Sequence, residues 1–212
     1  MGNDWDEAEQ LLPRLRAGDR TPLGELIGRN RARLLRMVAL RTDWRLRGRF
    51  DPSDVLQEAA LDAVRRLDEY LRDPKLPPSL WLRLLVAQRL VTLHRHHLGA
   101  RARDAGREVS LGRDTLPQAS SVALAELLVT GQTSPSQAVL RSERVTRVRD
   151  ALANLDPLDR EVLALRHFEQ LSRAETALVL GITEDAGAKR YVRALKRLKD
   201  VLTNSPGGLE AV

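Results

Sequence analysis

Three times along this chain a short hydrogen-bond acceptor is followed at once by proline and then by a run with helical character: Thr21-Pro22, Asp51-Pro52 and Asp156-Pro157. Proline loses nothing at the first helical position, where its missing N–H would be an orphan donor anyway, and the acceptor before it can bond the next free N–H groups. Each pair therefore marks a helix start. After the first, Leu26, Ile27, Leu34, Leu35, Val38 and Ala39 keep a 3.6-residue period to about Arg41. After the second, Val55, Leu56, Ala59, Ala60, Ala63, Val64 and Leu67 form the stripe expected to be buried, to about Leu71. Ala8, Leu11, Leu12 and Leu15 predict a short helix ahead of these, closed by Gly18. No segment alternates with the two-residue period of a strand and no internal repeat occurs, so the expected fold class is all-α.

The run from Asp73 to Pro78 holds three prolines and interrupts the helical pattern; Ser79 is expected to cap a long apolar and basic helix from Leu80 to about Leu98. Between Gly99 and Pro135 helical spacing is lost apart from a short run, Val122 to Val129, while Gly, Ser, Thr and Pro accumulate. A connector that long is out of scale inside a compact domain, where most span about 4–6 residues. Two small helical domains are therefore expected, at 1–98 and 136–204, joined by a flexible linker at 99–135 and followed by a disordered tail at 205–212.

Composition narrows the function classes. The chain has 212 residues with 35 Lys and Arg against 29 acidic residues, a formal charge of +6, and a pI near 10.4. That balance suits a polyanionic partner without requiring one. Residues 186–199 concentrate it: Lys189, Arg190, Arg193, Lys196, Arg197 and Lys199 occur there with no acidic residue. The absence of cysteine excludes disulfides, thiolate metal sites and cysteine nucleophiles. The start MGNDWDEAEQ is acidic where a secretory signal is basic then apolar, and no stretch approaches the roughly 18 apolar residues of a membrane span, so a cytoplasmic location is expected. No nucleophile–base pair, glycine-rich phosphate loop or metal cluster is legible, so neither an enzyme nor a cofactor or metal is expected.

The second domain carries a helix-turn-helix pattern. Val139, Leu140, Val145, Val148, Leu152 and Leu155 share a face, and Asp156-Pro157 opens a helix to about Phe168. Ser172-Arg173-Ala174-Glu175 has the capping-box form. Gly181 suits a left-handed stop, and Thr183 caps a last helix to about Leu202. The inward positions are expected to be Ala174, Ala177, Leu178, Ile182, Val192, Leu195 and Leu198. Lys189, Arg190, Arg193 and Lys196 then lie outward, with donors for phosphate and for guanine acceptors. The bland alternative is a solvated basic face. Gly187 inside this helix costs about 1 kcal/mol relative to alanine, which points either to close approach by DNA or to packing against a neighbour.

In the first domain Asp51, Asp54 and Glu58 stand at i, i+3 and i+7 along one helix edge. Acidic residues in a first helical turn are favoured by the helix dipole alone, so a capped, solvated helix start is one reading and a protein contact the other. No histidine or second acidic cluster completes a metal or acid–base site.

These segments carry a resemblance. Leu155-Asp156-Pro157-Leu158-Asp159-Arg160-Glu161-Val162-Leu163, inside a matching run over 151–172, resembles the fourth conserved region of sigma-70 family factors, as do Leu180-Gly181-Ile182-Thr183 and Arg193-Ala194-Leu195-Lys196-Arg197-Leu198. Asp51-Pro52-Ser53-Asp54-Val55-Leu56-Gln57-Glu58-Ala59 resembles the Asp-x-x-Asp-x-x-Gln-Glu core of region two, and Trp81 to Arg95 is similar to the minus-ten helix of the compact extracytoplasmic-function (ECF) group. The resemblance implies a non-catalytic initiation subunit that directs bacterial RNA polymerase to promoters. It implies docking on the polymerase clamp helices through Asp51, Asp54, Gln57 and Glu58, and minus-ten contacts from Arg83, Gln88, Arg95, His97 and Arg101. It further implies minus-thirty-five contacts from Thr183, Lys189, Arg190, Arg193 and Lys196, together with a touch on the polymerase flap. It leaves room for an anti-sigma partner. Trp81 is read as core in preference to a base-stacking platform. His94, His96 and His97, beside Arg95, are read as part of a basic phosphate-facing end. The sequence departs from the family where Ala186-Gly187-Ala188-Lys189-Arg190 replaces a usual Thr-Val-Lys-Ser-Arg run, so base preference does not carry over. The competing reading is an autonomous helix-turn-helix regulator with an N-terminal sensing domain.

Overall fold

A computed structural model describes residues 4–46, 48–98, 118–129 and 138–204. The chain divides into two compact units, Met1–Leu116 and Pro117–Val212. The described residues are largely helical, and none of them forms a β-strand. No described helix is long and apolar enough to cross a membrane.

The first unit contains α1 (Asp4–Arg16), α2 (Thr21–Arg41), α3 (Pro52–Arg72) and α4 (Pro78–Leu98), with a 3-10 turn at Trp44–Leu46. Asp51 caps α3, its carboxylate accepting from the Ser53 N–H at 2.7 Å. At α2 the expected cap is displaced by two residues: Asp19 accepts from the Thr21 N–H at 2.9 Å, and Thr21 itself is helical. Helix α4 begins at Pro78, one residue before the expected cap; Ser79 is buried in its first turn.

Helix α4 runs through the middle of this unit. Leu80, Trp81, Leu82, Leu85, Val86, Ala87 and Leu90 are all buried, against Leu26, Met37 and Val38 of α2 and Val55, Ala59, Ala63 and Leu67 of α3. A helix apolar on nearly every side has to be surrounded, and α1, α2 and α3 do so. Trp81 and Tyr70 stack with ring centroids 4.2 Å apart and planes 11° from parallel. The Tyr70 hydroxyl donates to the Leu76 carbonyl at 2.7 Å, which satisfies its buried polar end.

The second unit contains α5 (Ser121–Val129), α6 (Ala138–Ala153), α7 (Pro157–Leu163), α8 (Arg173–Leu180) and α9 (Glu184–Asn204). Residues 121–129, inside the expected linker, form a helix whose Ala123, Leu124, Ala125 and Val129 are buried and which packs on α6. The second unit therefore starts near residue 117 instead of 136. The short apolar run noticed in the sequence is core material, because four buried apolar side chains in nine residues need a partner. Of the rest of the expected linker, 99–117 and 130–135, like the tail at 205–212, lie outside the described residues.

Helix α7 does not continue uniformly to Phe168. Its last turn, Ala164–Phe168, is a π-turn, closed by a Glu169 N–H to Ala164 carbonyl bond of 3.0 Å. The chain then turns through Gln170, whose φ is +55°, and the Arg166 guanidinium holds the turn by donating to the Leu171 carbonyl. The capping box of α8 has both its bonds, Ser172 N–H to Glu175 Oε2 at 2.6 Å and Glu175 N–H to Ser172 Oγ at 3.1 Å. Gly181 closes α8 in the left-handed region at φ +62°, and Thr183 Oγ1 accepts from the Ala186 N–H at 3.2 Å to start α9.

Candidate nucleic-acid interface

Asp54, Gln57 and Glu58 are exposed along one edge of α3, beside the capping Asp51. Behind them Arg89 of α4 grips Asp62 through Nε and Nη2, at 2.5 and 2.6 Å from its two oxygens, and stands 3.7 Å from Glu58. The Arg89 hydrogen bonds hold the Asp62 carboxyl below its ordinary range. The edge is thus an acidic ridge pinned to α4 at its rear. The sequence reading missed two apolar residues on it: Leu61 is 56% and Val64 61% exposed. Val64 was expected in the core stripe. Leu56, Ala59, Ala63, Leu67 and Tyr70 already complete that stripe, and Val64, one position past Ala63, is turned about 100° away from it.

The central position of α4 decides which of its residues can meet DNA. Arg83, expected at the minus-ten element, is 3% exposed and is removed from that set, because its half of the helix is enclosed by the other three. Gln88 is half-buried, and its Oε1 accepts from Arg66 Nη1 at 2.8 Å. Arg95, His96 and His97 are exposed on the last turns. His94 is withdrawn from that basic end: Nε2 accepts from the Asp43 N–H at 3.4 Å, and burial lowers its pKa from the usual value, favouring neutral imidazole. Trp81 is core, as read from the sequence. Arg101 lies outside the described residues. No three His, Cys, Asp or Glu side chains among the described residues are grouped to hold a metal.

In the second unit α9 is rotated from its expected register. Gly187 and Ala194 are buried and Tyr191 and Leu198 half-buried, whereas Val192 is 65% and Leu195 40% exposed. Leu178 of α8, also expected inward, is 46% exposed. Arg190 and Arg193 correspondingly turn toward α7. Arg193 forks onto Asp159, Nε to Oδ2 and Nη2 to Oδ1 both at 2.9 Å, and Arg190 Nη1 adds a bond to Oδ1 at 2.8 Å. The Asp159 side chain is wholly buried, and the bonds from Arg193, then those from Arg190, keep its carboxyl below the ordinary range. Both arginines, expected on the open face, are therefore engaged by Asp159, although their side chains remain 31% and 49% exposed. Lys189 and Lys196 do lie on the open face, Lys189 with Asp185 Oδ2 at 2.6 Å. That pair is solvent-exposed, so it is weak and opens readily.

A groove between α8 and the first half of α9 is lined by Arg166, Arg173, Thr176, Gly187, Ala188, Tyr191 and Val192. Arg166 stands 5.7 Å from the centre of the Tyr191 ring. Arg166 and Arg173 were not singled out in the sequence; the signal for Arg173 was its place in the first turn of a capped helix. A methyl group at Gly187 would stand 3.7 Å from Ile182 Cδ1, an ordinary contact, so packing does not demand glycine. Gly187→Ala is expected to stabilise the second unit by about 0.5–1 kcal/mol, seen as a higher thermal midpoint. A loss of promoter affinity in the same variant would assign the glycine to close approach by DNA.

Comparison with known proteins fits both units. Residues 146–198 match the family described as Sigma-70, region 4. The chain is 32% identical over 184 residues to the ECF RNA polymerase sigma factor SigD of Mycobacterium tuberculosis, covering 87% of this chain and 78% of that one. It belongs to the ECF sigma factors. A second relative, the RNA polymerase sigma factor CnrH of Cupriavidus metallidurans, is 28% identical over 94% of this chain and 96% of its own. The solved structure of CnrH in complex with the cytosolic domain of CnrY shares the fold, with a TM-score of 0.53 at 22% identity over 93% of this chain and 99% of that one. The sigma factor directs RNA polymerase to promoters at transcription initiation, and similarity that runs through both units disfavours a regulator that merely borrows a helix-turn-helix.

Proposed function

We propose a division of labour between the units of this ECF sigma factor. The first docks on the polymerase clamp helices through Asp51, Asp54, Gln57 and Glu58, with Leu61 and Val64 as the apolar part of the contact, and meets the minus-ten element through Gln88, Arg95 and His97. The second meets the minus-thirty-five element through α9, with Thr183, Lys189 and Lys196 on the open face and Arg166 and Arg173 at the groove beside it, and touches the polymerase flap. The chain contributes no bond-making chemistry of its own and works in the cytoplasm. CnrH is described with the cytosolic domain of CnrY, and a comparable anti-sigma protein is the proposed inhibitory partner here.

The observation that carries this reading is the exposed acidic and apolar ridge of α3, whose charge complements a basic partner while its apolar pair supplies buried contact area. Reconstitution with bacterial core polymerase tests it. The mixture is expected to elute as one complex and to start transcripts downstream of two spaced promoter elements. Failure to form a stable complex with core, combined with tight binding of a symmetric dimer to paired half-sites in its absence, would reverse the reading in favour of the regulator.

A further inference from the structure

The reader helix carries more positive charge than it can offer. Asp159, on α7, has no exposed side-chain surface, and both its oxygens are taken by guanidinium donors from α9: Oδ1 by Arg190 Nη1 and Arg193 Nη2, Oδ2 by Arg193 Nε. Asp156 adds a weaker approach to Arg190 at 3.5 Å. The edge of Arg193 that meets a carboxylate in this way is the edge that would meet a phosphate or a guanine, since the same two parallel donors serve all three. Lys189 can leave its exposed partner for DNA cheaply. Arg190 and Arg193 leave Asp159 less readily, because together they donate three hydrogen bonds to a carboxylate that has no exposed surface of its own, even though their side chains are 31% and 49% exposed.

We propose that Asp159 is a built-in counter-ion for the reader helix, which withholds Arg190 and Arg193 from phosphate and so limits sequence-independent attraction to duplex DNA while fixing the rotation of α9. The inference rests on the placement of α9 against DNA given above. It makes Asp159 a positioning residue, acting through the two arginines, and it predicts that DNA contact falls to Lys189, Lys196 and the groove arginines.

Counter-ion release supplies a readout that a purely structural role would leave unmoved. Each cation that neutralises a phosphate steepens the dependence of log affinity on log salt by about 0.9. Binding of the full-length chain to a duplex fragment lacking any promoter is measured across a salt series. Asp159→Asn keeps the side-chain volume and removes the charge; it is expected to bind this fragment more tightly, with a slope steeper by about one to two units. A folded Asp159→Asn chain with unchanged affinity and slope would overturn the proposal, as would undetectable binding by both chains at low salt. Should this variant not fold, Arg193→Gln and Lys196→Gln decide: the first is expected to leave the slope unaltered, the second to lower it by about 0.9. An equal drop in both shows Arg193 already free for phosphate and defeats the counter-ion. A separate control guards the underlying placement: if Lys196→Gln leaves promoter binding by reconstituted holoenzyme unaltered, the assignment of α9 to DNA has failed on its own account.

Discussion

Asp54→Arg is expected to lower the affinity for core polymerase by about 30-fold or more, with the helical content and thermal midpoint of the chain unchanged. Asp54 is exposed in the first turn of α3 and is not the residue that caps it, so its removal costs the fold little. Reversing its sign against a basic partner replaces an attraction by a repulsion, which at an interface costs several kcal/mol, and each 1.4 kcal/mol is tenfold in affinity. The neighbouring apolar pair offers an independent check on the same surface. Scattered surface leucines need no explanation, but Leu61 and Val64 lie one turn apart on the face that carries Asp54 and Gln57. Leu61→Asp is expected to reach the hot-spot range of about 2 kcal/mol or more if the pair sits in the middle of the contact. Titration of labelled core with each variant, beside a thermal melt, measures both. Wild-type affinity in Asp54→Arg would remove the acidic ridge from the docking surface.

Trp81→Ala is expected to destabilise the first unit by about 3–5 kcal/mol, a large share of the 5–15 kcal/mol that holds a typical domain together. Trp81 is 6% exposed, on the central helix, with its ring stacked on Tyr70; truncation leaves a cavity and strips the stack from Tyr70, whose hydroxyl is tied to Leu76. Urea unfolding of the purified chain reads this directly. Trp81→Phe retains an aromatic face and should lose less than half as much. A base-stacking role predicts a different pattern: an alanine variant as stable as the parent that fails to open promoter DNA. That outcome would move Trp81 from the core to the nucleic acid.

The caps were legible because they are local. Asp51-Pro52, Asp156-Pro157 and the Ser172–Glu175 box each satisfy helix N–H groups within three residues, so residue type and spacing nearly suffice to place a helix start. Gly181 was legible for a similar reason, since a left-handed backbone selects glycine wherever the helix ends. The acidic edge of α3 followed once the helix was placed, because positions along one helix fix their own mutual geometry. The apolar run at 121–129 was visible too, but nothing local in it says that α6 waits to cover it.

Rotation of a helix about its axis is not a local property, and there periodicity ran out. Helix α9 has apolar residues on two sides, Tyr191, Ala194 and Leu198 on one and Val192 and Leu195 on another, and counting them does not say which side the protein covers. What marks the side is Asp159, more than thirty residues earlier, whose buried carboxylate is met by two guanidinium groups, so that Arg190 and Arg193 reach toward α7 and Val192 faces outward. Arg83 is the same case in the first unit: apolar residues surround it on α4, and only the packing of three other helices puts it inside. The sequence by itself determined most of the helices, the capped starts of α3, α7 and α8, the family and the acidic edge of α3, because backbone hydrogen bonding and side-chain spacing act within a few residues. Which cations stand free to meet DNA was decided by tertiary structure alone, because a charge is available only after distant partners have taken what they need to be buried.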